Sequence, residues 1–187
     1  MILIVDNNDS FTFNIVEMIR SVSDIPVKVI RSSSLVLDEV ANYQKIILSP
    51  GPSLPNDYPV LFDILDRFKN KIPILGICLG HQAISTYFGA RLCQSSSVIH
   101  GYDSLIHTDP NSKLFKGIQK MIVGRYHSWY ADQIPDTLRI TAKDNLGVVM
   151  AVEHTQYPIY GVQFHPESYI TNQGKQIFKN FIDADTL

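Results

Sequence analysis

Residues 73–88, PILGICLGHQAISTYF, admit few folds. Residues 74–77 form an apolar run of strand length, and Ala83, Ile84, Tyr87 and Phe88 recur with the spacing of one helical face. Between them stands Gly76-Ile77-Cys78-Leu79-Gly80, a G-x-C-x-G sequence. A strand that turns directly into a helix presses its side chains together, so small residues belong on either side of the tip. This is the pattern of a nucleophile elbow, with cysteine in place of serine. The tip lies at a helix N-terminus, a position that favours a thiolate. The N–H of Leu79, an unpaired donor of the first helical turn, is placed to stabilise an oxyanion. The bland alternative for Cys78 is a small residue packed against a strand.

The chain before the elbow alternates strands with helices. Residues 1–5 (MILIV) are apolar without alternation, as in a strand buried on both faces. A polar turn, residues 6–10, follows, and Asp9 or Ser10 can cap a helix over about 11–21. Strands over 26–30 and 45–48 flank a short helix at 35–41, and a further helix covers 60–69. This alternation specifies an open α/β sheet, whose ligands lie at the carboxyl ends of the strands. Ser49-Pro50-Gly51-Pro52-Ser53-Leu54-Pro55 lies at such an end. Its prolines stiffen it, and Gly51 lets the backbone approach a ligand closely, where its N–H can point into the site; alone it would pass for a proline-rich surface loop. Gln82, one helical turn beyond Cys78, shares its face and suits hydrogen bonding to a substrate. His81 points about 100° away and is the weaker candidate.

Beyond residue 89 the pattern is mostly β. Strands are expected at 91–94, 104–107, 121–127, 138–142, 148–153 and 160–164, extending the sheet with an antiparallel group. No repeat or composition break divides the chain, so residues 1–187 read as one domain. Cys93 reads as a packed core or sheet residue, and His127, in Arg125–Tyr130, as a packed histidine. The final strand leads into His165-Pro166-Glu167-Ser168. Pro166 holds His165 extended, and in extended chain residues i and i+2 face one side. Glu167 can therefore accept the Nδ1–H of His165 and leave Nε2 as the base. With Cys78 this makes a Cys-His-Glu triad for acyl transfer through a thioester, with Gly51 and Leu79 N–H groups as its oxyanion donors. A last helix, 173–182, packs Ile177, Phe178 and Phe181.

Composition narrows the function classes. The 187 residues carry a net charge of −2 with scattered Lys and Arg, which gives no support for nucleic acid as a partner. The first apolar run stops at Asp6, too short for a signal peptide or membrane span, and no other run reaches spanning length, so the expected location is cytoplasmic. Cys78 and Cys93 form no C-x-x-C pair, and a disulfide would disable an elbow nucleophile. Neither metal nor cofactor is called for.

The motifs together resemble the class I (triad) glutamine amidotransferases, most closely the glutaminase subunits of para-aminobenzoate synthase and anthranilate synthase. The likeness runs end to end through VDNNDSFTFN (5–14), SPGPSLP (49–55), GICLGHQAI (76–84), RYHSW (125–129), GVQFHPES (161–168) and NQGKQIFKNF (172–181). It implies a flavodoxin-like core, glutamine as substrate, Cys78 as nucleophile, His165 as proton carrier and Glu167 as its orienting acid. It also implies a glutamine site lined by Gly51, Ser53 and Gln82, and by Ser128 and Trp129 through their backbones. Ammonia would pass to a larger synthase subunit that aminates chorismate, in folate or tryptophan biosynthesis. Three departures stand out. Ser53 replaces the last glycine of a usual SPGPG, Trp129 replaces the leucine of YHSL, and Tyr102-Asp103 replace Lys-Thr after His100-Gly101, in a segment expected near the partner.

Three other readings compete. A flavodoxin-like electron carrier could cradle phosphate at the DNNDSFT turn, but leaves Cys78 and His165-Pro166-Glu167 unexplained. A silent module that only binds the synthase is at odds with a complete triad. Another triad hydrolase of this fold, acting on a γ-glutamyl substrate, is the nearest rival.

Overall fold

Strand β1 (Ile2–Asp6) is apolar on both faces, and the layers of the fold follow from it. A computed structural model describes residues 1–95 and 101–184. In chain order the elements are β1, α1 (Thr12–Arg20), β2 (Val27–Arg31), β3 (Lys45–Leu48), α2 (Pro59–Phe68), β4 (Ile74–Ile77), α3 (Leu79–Tyr87) and β5 (Arg91–Gln94). There follow β6 (Tyr102–Thr108), β7 (Lys120–Arg125), β8 (Trp129–Asp132), β9 (Leu138–Asp144), β10 (Val149–His154), β11 (Ile159–Val162) and α4 (Gly174–Asp183).

The main sheet has the order β2-β1-β3-β4-β11-β10-β9-β6-β7. Its first five strands are parallel, and the pairings from β11 to β7 are antiparallel. Alternation across the pleat divides β1 between two cores. Ile2 and Ile4 pack with Ile15, Ile19, Phe178 and Phe181 of α1 and α4. Leu3 and Val5 pack with Leu61, Leu65, Ala83 and Ile84 of α2 and α3. The apolar positions of α2 at i, i+3, i+4 and i+7 (Leu61, Ile64, Leu65, Phe68) are all buried, as their spacing requires.

The chain runs from β1 outward to β2 and returns to β3 on the other side, so the strand order reverses beside β1. A crevice opens at the carboxyl ends where such a reversal occurs. The loops after β1, β3, β4 and β11 leave adjacent strands there, and they carry Asn7, Gly51, Cys78 and His165.

Several expectations need correction. The helix foreseen over 35–41 is a 3-10 helix at Leu37–Asn42, short and without a side-chain cap. The strand foreseen over 121–127 stops at Arg125, and the following residues turn into β8, which pairs with β5 as a separate two-stranded sheet. Helix α1 has no side-chain cap at its N-cap, Phe11; the Asp9 carboxylate instead accepts the Phe11 N–H (2.8 Å). Cys93 does lie in a sheet, on β5, where it is half-buried. Tyr102 and Asp103 are exposed on β6, while His100 lies outside the described residues. Among the described residues no helix is long and apolar enough to cross a membrane, and no cluster of His, Cys, Asp and Glu could hold a metal ion.

Candidate active site

Cys78 sits between β4 and α3 with φ 49° and ψ −99°, a backbone conformation that disfavours any side chain. Holding it there costs on the order of 1–3 kcal/mol. The elbow is pinned on both sides. The Cys78 N–H donates to Val162 O (2.8 Å), and its carbonyl accepts from Gln82 N–H (3.0 Å). The flanking glycines are steric necessities: a Cβ on Gly76 would collide with the Gly80 backbone, and one on Gly80 with the Leu48 carbonyl.

His165 follows β11, and its backbone is tied to β7 by an N–H bond to Gly124 O (3.0 Å). Its carbonyl accepts the Thr171 hydroxyl (2.6 Å). The imidazole and the Glu167 carboxylate are both buried, with 2.7 Å between Nδ1 and Oε1. The rings of Phe11 and Tyr126 pack on the imidazole at centroid distances of 5.0 Å each. Burial disfavours the charged ring, but Glu167 and the neighbouring Cys78 sulfur outweigh it, and the pKa is raised well above 6.5. Nε2 has no hydrogen-bond partner of ordinary geometry among the described residues.

Gly51 is wedged between the loops after β1 and β4. A Cβ there would stand 2.6 Å from Leu79 Cδ2 and 2.7 Å from Asn7 Cβ. Asn7 is fully buried and locks the two strand ends together: its N–H donates to Ser49 Oγ (2.9 Å) and its Nδ2 to Ser49 O (3.0 Å). Ser53 has φ 66°, in the left-handed region, so the position still demands what a glycine supplies most cheaply. Asp6 fills the turn after β1, accepting from the Asn8 N–H and the Thr12 hydroxyl through one carboxylate oxygen. The donors that a phosphate would need there are already engaged by a carboxylate.

Gln82 does lie beside the elbow, but its amide faces inward. Nε2 donates to Trp129 O (2.9 Å) and approaches Gln163 Oε1 (3.4 Å). The Trp129 carbonyl also accepts from His127 Nδ1 (2.9 Å), and the Ser128 carbonyl from Ser95 N–H (2.7 Å). Arg125 donates through Nε to His127 Nε2 (3.1 Å) and pairs with Asp144 (2.7 Å), both of these charged side chains being buried. Arginine can only donate, so His127 Nε2 is bare and its proton is on Nδ1. Burial and then Arg125 push the His127 pKa down to about 4. His81, fully buried against Gly161, is pushed down to about 3 by burial and then by His127. Both are neutral packing histidines.

These three histidines set a pH dependence of stability. His165 binds its proton more tightly folded than unfolded, so its contribution is complete below 6.5 and fades as pH rises through its raised value. His81 and His127 refuse protons until about 3 and about 4, so each withdraws stability as pH falls below 6.5. Each loses up to ~1.4 kcal/mol per pH unit in that window. Denaturant midpoints are expected to fall steadily on acidification from neutrality, and His127→Gln to flatten the slope by roughly half. A slope unchanged by that substitution would mean that His127 is not buried neutral.

The structure thus brings Cys78, Leu79, Gly51, Gln82, Trp129, His165 and Glu167 to one end of the sheet. It leaves Ser53 exposed on the outer part of its loop and Ser128 half-buried. Sequence reasoning missed Asn7, Phe11, Tyr126 and Gln163. For Gln163 a signal existed: it is a polar residue two places before His165, hence on the same face of extended chain.

A strained cysteine at a strand–helix elbow, with a buried histidine–carboxylate pair beside it, defines a cysteine-dependent acyl-transfer architecture. More specifically, the chain belongs to the class-I glutamine amidotransferases: the family profile described as "Glutamine amidotransferase class-I" matches residues 3–184. Anthranilate synthase component 2 of Cyanophora paradoxa is 41% identical over 190 residues, spanning 98% of this chain and 99% of that one. Aminodeoxychorismate/anthranilate synthase component 2 of Bacillus subtilis is 38% identical over 189 residues, spanning 98% and 96%. Among solved structures, a Thermoplasma acidophilum protein provisionally described as part of a GMP synthase matches with TM-score 0.88 at 26% identity, over 97% of this chain and 91% of that one.

Proposed function

We propose that residues 1–187 act as one glutaminase domain that hydrolyses L-glutamine and delivers ammonia to a larger chorismate-aminating subunit. The observation that carries this reading is the His165–Glu167 hydrogen bond of 2.7 Å beside the strained Cys78, in a chain of this family. The partner class is supported by the names of the relatives, each a component 2; the Bacillus subtilis name covers both syntheses.

The Cys78 sulfur attacks the side-chain amide carbon of glutamine. The carbonyl oxygen becomes an oxyanion between the N–H groups of Gly51 and Leu79, each donor contributing ~3–4 kcal/mol. As the C–N bond breaks, ammonia leaves with a proton from His165. Water then adds to the thioester and gives a proton to His165, and the C–S bond breaks to release glutamate. Glu167 holds the imidazole in one tautomer throughout. Gln82 spends its two N–H groups on Trp129 and Gln163, so its Oε1 remains to accept from the substrate. Ser53 lines the glutamine site, and Ser128 and Trp129 complete it through backbone groups.

Glutamate release by the purified chain, alone and with each chorismate-aminating subunit, tests the proposal. Release that rises with one partner is expected, and it names the pathway. No release with any partner, together with hydrolysis of γ-glutamyl peptides, would replace this reading with that of a γ-glutamyl hydrolase.

A further inference from the structure

Gln163 is fully buried, yet it lies just past the end of β11 against the elbow. Its Nε2 stands 3.7 Å from Cys78 Sγ, its Oε1 3.4 Å from Gln82 Nε2, and its backbone N–H donates to Met150 O (2.8 Å). The polarity of this arrangement is forced. The Trp129 carbonyl can only accept, so Gln82 must turn its NH2 group inward. Gln82 then has donors to offer Gln163, which must answer with Oε1. The NH2 group of Gln163 is left facing the sulfur. Reversing the amide would set oxygen against sulfur and one NH2 against another.

We infer that Gln163 is a further catalytic residue, whose side-chain N–H donates to the Cys78 sulfur whenever that sulfur carries charge. The inference rests on Cys78 being the nucleophile of the proposed reaction. In acylation the sulfur's electron pair forms the C–S bond, and the C–N pair departs on ammonia. In deacylation water supplies the new C–O bond, and the C–S pair returns to sulfur. Gln163 acts before the first event and after the second, when an N–H···S contact is charge-assisted. A thioester sulfur accepts only weakly, so the contact favours breakdown of the intermediate over its persistence.

Alkylation of Cys78 by iodoacetamide, followed by mass on the Cys78 peptide across a pH range, tests this without assuming a substrate. Gln163→Met keeps the length of the side chain and removes the donor. It is expected to slow alkylation at neutral pH roughly tenfold and move the profile to higher pH. Gln163→Glu turns an oxygen toward the sulfur and should slow it further. Rates and profiles equal to those of the unsubstituted chain in either folded variant would overturn the inference while leaving the nucleophile intact. An inert Cys78 in the unsubstituted chain would overturn both. Should neither variant fold, the side-chain amide protons of Gln163 report the same contact by NMR. They should shift when Cys78 is alkylated, and resonances that stay in place would overturn the inference.

Discussion

Cys78→Ser is expected to abolish glutamine-dependent activity, by at least about a thousandfold, because the proposed nucleophile carries both half-reactions. The complex with the synthase subunit should retain its ammonia-dependent activity, since added ammonia bypasses the glutaminase. Loss of both activities would count against this division of labour. A companion substitution separates the chemistry from the backbone. Cys78 is held at φ 49°, a strain of roughly 1–3 kcal/mol, and a glycine there costs about 0.5–1 kcal/mol in chain entropy. Cys78→Gly should therefore be inactive yet melt higher than the unsubstituted chain. A glycine variant with a lower melting temperature would mean that the elbow stores no strain.

The second large effect is expected far from any reacting atom. Gly174 opens α4, and a Cβ at that position would fall inside the Pro166 carbonyl. The obstacle is backbone, so no flexible side chain can give way. Pro166 lies between His165 and Glu167, and any retreat displaces the pair whose separation is 2.7 Å. Gly174→Ala should cost about 3 kcal/mol, the upper part of the overpacking range, and should lower the rate of glutamate release in whatever fraction folds. Thermal melts and single-turnover rates check the two halves. Unchanged stability and unchanged turnover together would show that α4 can move away from the His165–Glu167 segment freely.

The same glycine illustrates what the sequence could and could not disclose. Strands β1, β3 and β4, and the buried faces of α2 and α4, were legible because an apolar run or a helical period is local. The His165–Glu167 pair was legible for the same reason: two residues apart in extended chain, they share a face whatever the rest of the fold does. The G-x-C-x-G elbow carries its own steric explanation. Strand β8 was not legible, because Trp129–Asp132 becomes a strand only by pairing with β5, and no local pattern announces the partner. Nor was the inward turn of Gln82, which depends on the Trp129 carbonyl 47 residues away.

The open α/β sheet, the Cys78 elbow and the His165–Glu167 pair were readable from the chain, since these depend on residue type and short spacing. The tertiary structure alone decided the environment that makes them a site: Gly51 wedged between Asn7 and Leu79, Arg125 and Asp144 fixing His127, and Gln163 aimed at the Cys78 sulfur. Those relations join residues on or just after β1, β3, β4, β7, β9 and β11. Only strand order and register bring such distant groups within hydrogen-bond distance, and the direction of each bond follows from which partners can only donate or only accept.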